Sequence, residues 1–376
     1  MDIEEFTLER VQSKYENEVD INLTESGIHP FTLRELLPPD EIEALLDVRL
    51  GYGWTQGDPG LREAIAARYA NAGPENVLVT NGSAEANFAT VWSLVGPGDE
   101  VVCVLPNYMQ IPGLVRAVGG VVRPVELEAG DGRWSLDVDA VARATTERTR
   151  MIAVCSPNNP TGAVLDRDTM TALAGIAAER GCWLHADEVY RGAERSGVAA
   201  PSFRDVRAHD DVTVVAGLSK ALSHPGLRIG WVVGPPSLVE AAWSRTDYTT
   251  ITSSVLSQRI ARYVLESDVV EKILARNRAL VDENIGLLEE WLAERPGLFS
   301  WTPPEAGAMA FLRYHLDVNS TELSTRLRLE KSTFVVAGDC FGMDGWIRIG
   351  LGSPRADFEE GMGRFAELLD EIRRGA

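Results

Sequence analysis

One lysine with small neighbours has a second cation eight positions downstream: Ser219-Lys220-Ala221-Leu222 continues through Ser-His-Pro-Gly-Leu to Arg228. The chain holds only four lysines, Lys14, Lys220, Lys272 and Lys331. Lys220 alone among them combines small neighbours, an adjacent strand and a fixed positive charge. A nucleophilic lysine must lose its proton before it can form a Schiff base with a carbonyl, and a hydrophobic or cationic setting lowers its pKa. Arg228 is the expected cationic neighbour.

Three further runs could serve such a lysine. Asn81-Gly82-Ser83-Ala84 joins a strand to a helix, where first-turn N–H groups and the helix dipole can hold a phosphate. The same four residues would also make a plain glycine turn with Ser83 as the helix cap. Ser156-Pro157-Asn158-Asn159-Pro160-Thr161-Gly162 has the composition of a turn. Within it Asn159, ahead of a proline, is pushed toward extended backbone, which aims its amide at a sheet edge. Asp187-Glu188-Val189-Tyr190 closes another strand and brings an acid to the same end as Asn159 and Lys220.

The elements that must position these residues alternate between strand and helix. Strands are expected at 76–80, 100–105, 121–126, 150–155, 182–186, 212–216 and 228–233, with helices such as 83–94 and 167–179 between them. Asp58-Pro59 starts an earlier helix with a capping side chain followed by proline. The pattern predicts an α/β fold with a mixed, mostly parallel seven-stranded sheet between helices. Open sheets of this kind place ligands at the C-terminal ends of their strands, where the three runs fall. From about Ser253 long amphipathic helices take over, broken near Arg295-Pro296-Gly297 and followed by short strands and a last helix. The expected division is an N-terminal segment (1–44) without a strand of its own, packing on the small domain or a partner subunit. A large domain (45–265) and a smaller α+β domain (266–376) follow.

Composition narrows the function classes. At 376 residues and 45% apolar content, the chain can bury one large core and a second, smaller one. A formal charge of −20 opposes general binding to nucleic acid or to an anionic membrane, so a cationic site must be built locally. The acidic N-terminus has no apolar run of signal-peptide length and no stretch approaches a bilayer span, so a soluble, cytoplasmic protein is expected. Cys103, Cys155, Cys182 and Cys340 lie far apart, which favours buried thiols over disulfides or a metal site.

Taken in order, the chain resembles the class I and II aminotransferases of fold type I, the pyridoxal 5′-phosphate enzymes related to aspartate aminotransferase. The resemblance spans nearly the whole sequence. It is carried by Tyr52 in Tyr-Gly-Trp-Thr-Gln-Gly, by Asn81-Gly82-Ser83-Ala84-Glu85 and by Pro106-Asn107-Tyr108. It continues with Asn159-Pro160-Thr161-Gly162, Asp187-Glu188-Val189-Tyr190, Ser219-Lys220 with Arg228, and Trp346-Ile347-Arg348-Ile349-Gly350.

The resemblance implies a role for each position. Lys220 would hold the cofactor covalently and later carry the proton. Asp187 would pair with the pyridine nitrogen and keep it protonated. Tyr190 and Asn159 would hydrogen-bond the phenolic oxygen, and Tyr108 would stack on the ring. Gly82, Ser83, Ala84, Ser219 and Arg228 would bind the phosphate, joined by Tyr52 from the other subunit of a homodimer. Arg348 would clamp the substrate α-carboxylate, and the backbone of Gly27 would lie close to the substrate. Gly217 stands where the family often has a phosphate-donating serine. Ser219 is expected to cover the loss, at about 1 kcal/mol in cofactor binding.

The activity implied is ping-pong transfer of an amino group between an L-α-amino acid and a 2-oxo acid. Elimination, replacement or cyclisation on the same scaffold is the alternative. The segment Glu25 to Thr32 and the loop Trp54-Thr55-Gln56 are expected to line the side-chain pocket. Glu25, His29 and Gln56 would suit a polar or basic substrate. Ser26-Gly27-Ile28 with Phe31-Thr32-Leu33 is similar to enzymes that build arginine-derived non-protein amino acids in actinobacteria.

Overall fold

The computed structural model describes residues 3–130, 132–206 and 211–375. Its large sheet contains β1 (Val77–Thr80), β2 (Glu100–Leu105), β3 (Val121–Gly130), β4 (Arg133–Leu136), β5 (Thr149–Cys155), β6 (Trp183–Asp187), β7 (Val212–Gly217) and β8 (Gly230–Val233). The spatial order is β1-β8-β7-β6-β5-β2-β3-β4. From β7 to β3 all neighbours are parallel, while β8 runs antiparallel between β7 and β1. Seven strands form the expected mixed sheet. The eighth, β4, is a hairpin return off the long β3, with Gly130 opposite Arg133.

The central strands are mostly apolar because helices cover both faces: every residue of β7 is buried, as are all of β5 except Arg150. The covering helices follow local rules. In the helix Arg167–Arg180 the Asp166 side chain accepts from the Thr169 N–H, and left-handed Gly181 ends it. One strand edge departs from the sequence expectation. Arg228 lies outside β8, in left-handed backbone with φ +53°, after a short 3-10 turn at Pro225–Leu227.

A smaller antiparallel sheet holds β9 (Phe299–Trp301), β10 (Met309–Tyr314), β11 (Val336–Ala337) and β12 (Trp346–Gly350), in the order β9-β10-β12-β11. Its core gathers Leu312, Ile347, Ile349, Phe358 and Phe365, each fully buried and each contributing roughly 1.5–3 kcal/mol. The 25-residue helix Val269–Ala293 ties the two cores together. Its first half buries Ile273 and Leu274 in the large core, and its second half buries Ile285 and Leu288 in the small one.

The N-terminal residues also touch both cores. Leu8, Leu36 and Leu37 pack with the large one, while Ile21, Leu23 and Ile28 pack with the small one. Contrary to expectation this segment does contain a strand. Ile21–Asn22 pairs in parallel with Thr333–Phe334, and two residues are too few to show an alternating pattern.

Candidate active site

The C-terminal ends of β1, β2, β5, β6 and β7 open onto one cavity of about 260 Å³. Ser83, Ala84, Tyr108, Asn159, Asp187, Tyr190, Ser219, Lys220, Arg228 and Arg348 all line it. Gly27 adjoins it, since a Cβ there would lie 3.6 Å from Lys220 Cδ.

Lys220 leaves the chain just past β7, with its side chain 28% exposed and Nζ 3.5 Å from Glu25 Oε2. Burial draws the pKa of this ammonium down, but the Glu25 carboxylate and Tyr190 draw it up further, and the net shift is upward. The expected lowering by Arg228 is therefore not what the site does. The cation that opposes the charge on Lys220 is Arg348.

The guanidinium of Arg228 belongs instead to the start of the helix Ser83–Leu94. Gly82 occupies the N-cap position with φ +87°, and no side chain caps the helix. Ser83 is thus the first helical residue and not the cap. The backbone conformation of Gly82 favours glycine, and a Cβ there would sit 2.5 Å from Arg228 Nη2, so the arginine tip lies close to the turn. Uncapped first-turn N–H groups beside an arginine form an anion cradle. Gly217 is equally constrained, because a Cβ there would lie 2.9 Å from the Ile229 carbonyl oxygen. The serine common at that position in the family would collide with the backbone leading into β8.

Asp187 ends β6, nearly buried. Its Oδ2 accepts from Asn87 Nδ2 at 2.9 Å and its Oδ1 from the Val189 N–H at 3.1 Å. Burial pushes its pKa up, and the Asn87 amide, the Val189 N–H and the charge on Lys220 work against that rise. Tyr190, also buried, donates its hydroxyl to Ser26 at 2.8 Å. Burial raises its pKa and keeps the phenol protonated.

Arg348 comes from β12 and is 1% exposed. Its Nη1 donates to Asn159 Oδ1 at 2.8 Å and its Nη2 to the Thr24 carbonyl at 2.5 Å, while Nε has no partner among the described residues. A buried guanidinium with an orphaned donor suits an incoming carboxylate.

The helix Thr7–Tyr15 lines one side of the cavity with Leu8, Glu9, Gln12 and Ser13, a wall that the sequence motifs did not reveal. Phe6, at its N-cap, packs edge-on against Tyr108 at 4.8 Å, and the Tyr108 hydroxyl donates to Glu9 at 2.6 Å. Glu9 and Glu16 line the cavity together with Glu25. Burial and the other two carboxylates raise the pKa of Glu16. Asn87 was also missed, since a polar residue inside a helix carries no motif.

Some expected residues lie elsewhere on this chain. Tyr52 is 85% exposed and outside the cavity. His29 is exposed, and Gln56 turns its amide to the Val77 carbonyl at 3.5 Å. Trp54 borders a separate cavity with Arg259 and Arg262. Tyr52, Trp54 and Gln56 lie away from the cleft of their own chain because the loop that carries them packs against the region 243–258. All four cysteines are free and buried, and no cluster of metal-ligating side chains occurs among the described residues. No helix among them is long and apolar enough to cross a membrane.

The donor set suits a phosphorylated aromatic aldehyde: an anion cradle at one end, a buried acid opposite a tyrosine, and a primary amine between them. A model of the family described as aminotransferase class I and II matches residues 26–365. The chain is 32% identical to capreomycidine synthase of Streptomyces vinaceus, over 94% of this chain and 91% of that one. It is 31% identical to the arginine–pyruvate transaminase of Pseudomonas aeruginosa, over 96% and 93%. Among solved structures, a PLP-dependent aminotransferase from Streptococcus suis superposes with a TM-score of 0.91 at 31% identity, covering 99% of both chains. The chain belongs to the class I and II aminotransferases.

Proposed function

We propose that this protein is a pyridoxal-phosphate-dependent aminotransferase whose amino donor is an L-α-amino acid with a cationic, arginine-like side chain, working by a ping-pong mechanism in the cytoplasm. The observation that carries the reading is the convergence of Lys220, Asp187 and Arg348 on one cleft whose floor is an uncapped helix N-terminus. When bound, pyridoxal phosphate supplies an aldehyde that takes up the amine and a ring that accepts the electrons of the Cα–H bond.

The chain's own residues supply the rest. Gly82, Ser83, Ala84, Ser219 and Arg228 hold the phosphate, and Tyr52 reaches it from the partner in a homodimer. Asp187 holds a proton on the ring nitrogen, and Tyr190 and Asn159 donate to the ring hydroxyl oxygen. Tyr108 covers the ring face. Lys220 Nζ attaches the cofactor and, once released, takes the proton from the substrate Cα. Arg348 grips the α-carboxylate with the backbone of Gly27 close by, which fixes the Cα–H bond relative to Lys220. The reading divides the chain at residues 44 and 265, with the site between the large and small domains.

The carboxylates of Glu9, Glu16 and Glu25, which line the same cavity as Arg348, support a cationic side chain. Burial first, and then the charges of Glu25 and Glu9, raise the pKa of Glu16, and a cationic side chain beside it would relieve that repulsion. A second reading is cyclisation or elimination on the same cofactor, favoured by the likeness to capreomycidine synthase. A screen of amino donors, arginine-like compounds included, against the cofactor's absorbance separates the two. Transamination converts the bound aldehyde stoichiometrically to its amine form and releases one 2-oxo acid. A product formed with the aldehyde form regenerated and no 2-oxo acid would overturn it in favour of the second reading.

A further inference from the structure

Behind Asp187 lies a buried polar chain that no sequence motif marks. Asn87 sits in the second turn of the helix Ser83–Leu94 and is 1% exposed. Its Nδ2 donates to Asp187 Oδ2 at 2.9 Å, and its Oδ1 meets His185 Nε2, also at 2.9 Å. His185 is fully buried two residues before Asp187 on β6, so strand alternation puts both side chains on one face.

The hydrogen-bond roles follow from the acid. An ionised carboxylate only accepts, so the amide nitrogen of Asn87 must face Asp187 and its oxygen must face the ring. Nε2 of His185 therefore carries the hydrogen. Burial keeps the imidazole neutral, its pKa drawn down to about 4. That leaves Nδ1 as a bare lone pair, without partner among the described residues. The second hydrogen of Asn87 Nδ2 leans toward Gln110 Oε1 at 3.3 Å. Each Asp187 oxygen thus has one fixed donor, Asn87 or the Val189 N–H, and keeps lone pairs for the cleft. The other titratable groups facing Asp187 are Lys220, Tyr108 and Cys155, the last two held protonated by burial.

We infer that Asn87, locked by His185, is a positioning residue that aims the Asp187 carboxylate at the ring nitrogen of the cofactor. The inference rests on the aminotransferase reading, and its test separates the two. Apoprotein is titrated with pyridoxal phosphate and with an analogue carrying C–H in place of the ring nitrogen, followed by the change in protein fluorescence. Asn87→Leu weakens pyridoxal phosphate by about tenfold to hundredfold, the scale of a hydrogen bond to a charged group, and leaves the analogue within about twofold. His185→Leu acts in the same direction, and His185→Gln, which restores an N–H at that distance, recovers binding. The His185 pair keeps the test decisive if Asn87→Leu does not fold. Equal weakening of both ligands, or none of either, overturns the positioning role while the aminotransferase reading stands. Wild-type protein that binds neither ligand overturns both.

Discussion

At the scale of single residues, Lys220 shows how far identity and environment can part company. Its place after a strand, with small neighbours, was legible because few lysines occur and this one adjoins a turn. Its charge balance was not, since Glu25 lies 195 positions away in sequence and only the fold brings it to 3.5 Å. Arg348 was legible from the flanking Ile347 and Ile349, which bury the strand and force its guanidinium to find polar partners. A planar fork that already spends one nitrogen on Asn159 has little slack for a shorter cation. Arg348→Lys is expected to raise KM for the amino donor by roughly tenfold to hundredfold, while cofactor absorbance stays as in the wild type. An unchanged KM would mean that another group binds the carboxylate.

At the scale of elements, the central strands of the large sheet could be read directly because burial on both faces makes them largely apolar. The hairpin strand β4 and the pair Ile21–Asn22 could not, as neither is long enough to show a period. Asn87 and His185 left a fainter trace. Each is a neutral polar residue among apolar neighbours at an inward position, and only their meeting gives them meaning. Glu188 was quoted as part of a motif without a role, and the structure supplies one. Its Oε1 accepts from the Ser202 hydroxyl at 3.0 Å and the Phe203 N–H at 2.7 Å, pinning the loop beyond β6. Burial raises its pKa from 4.5 to about 7. The folded state therefore holds the proton more tightly than the unfolded chain, and Glu188's contribution to stability falls as pH rises from about 4.5 to 7. Glu188→Gln keeps the acceptor oxygen and removes the titration. Relative to wild type, the variant should gain about 2 kcal/mol between pH 5 and pH 7.5 in urea unfolding. A stability difference that does not change with pH would contradict the assignment.

At the scale of the molecule, the surface around residue 52 has an unfinished look. Leu46, Leu50, Tyr52, Trp54 and Tyr248 are each at least two-thirds exposed. Exposed apolar side chains of this kind suit an interface, and the proposed two-fold dimer would cover them and carry Tyr52 into the partner's cleft. Sequence comparison with the family could suggest that exchange, whereas the fold of one chain shows only that Tyr52 cannot serve its own site. Complementation tests it. Lys220→Ala and Tyr52→Ala proteins, each inactive alone, should recover activity at about a quarter of all sites when refolded together in equal amounts, because each hybrid dimer holds one intact site. No recovery would place both residues in the same subunit's site. The central claim is that the amine of Lys220 holds the cofactor, and reduction of the intact holoenzyme with borohydride followed by peptide mapping tests it most directly. The account predicts a pyridoxyl group on the peptide containing Lys220 and none in Lys220→Ala; label on Lys14, Lys272 or Lys331, or label that survives the substitution, would contradict it.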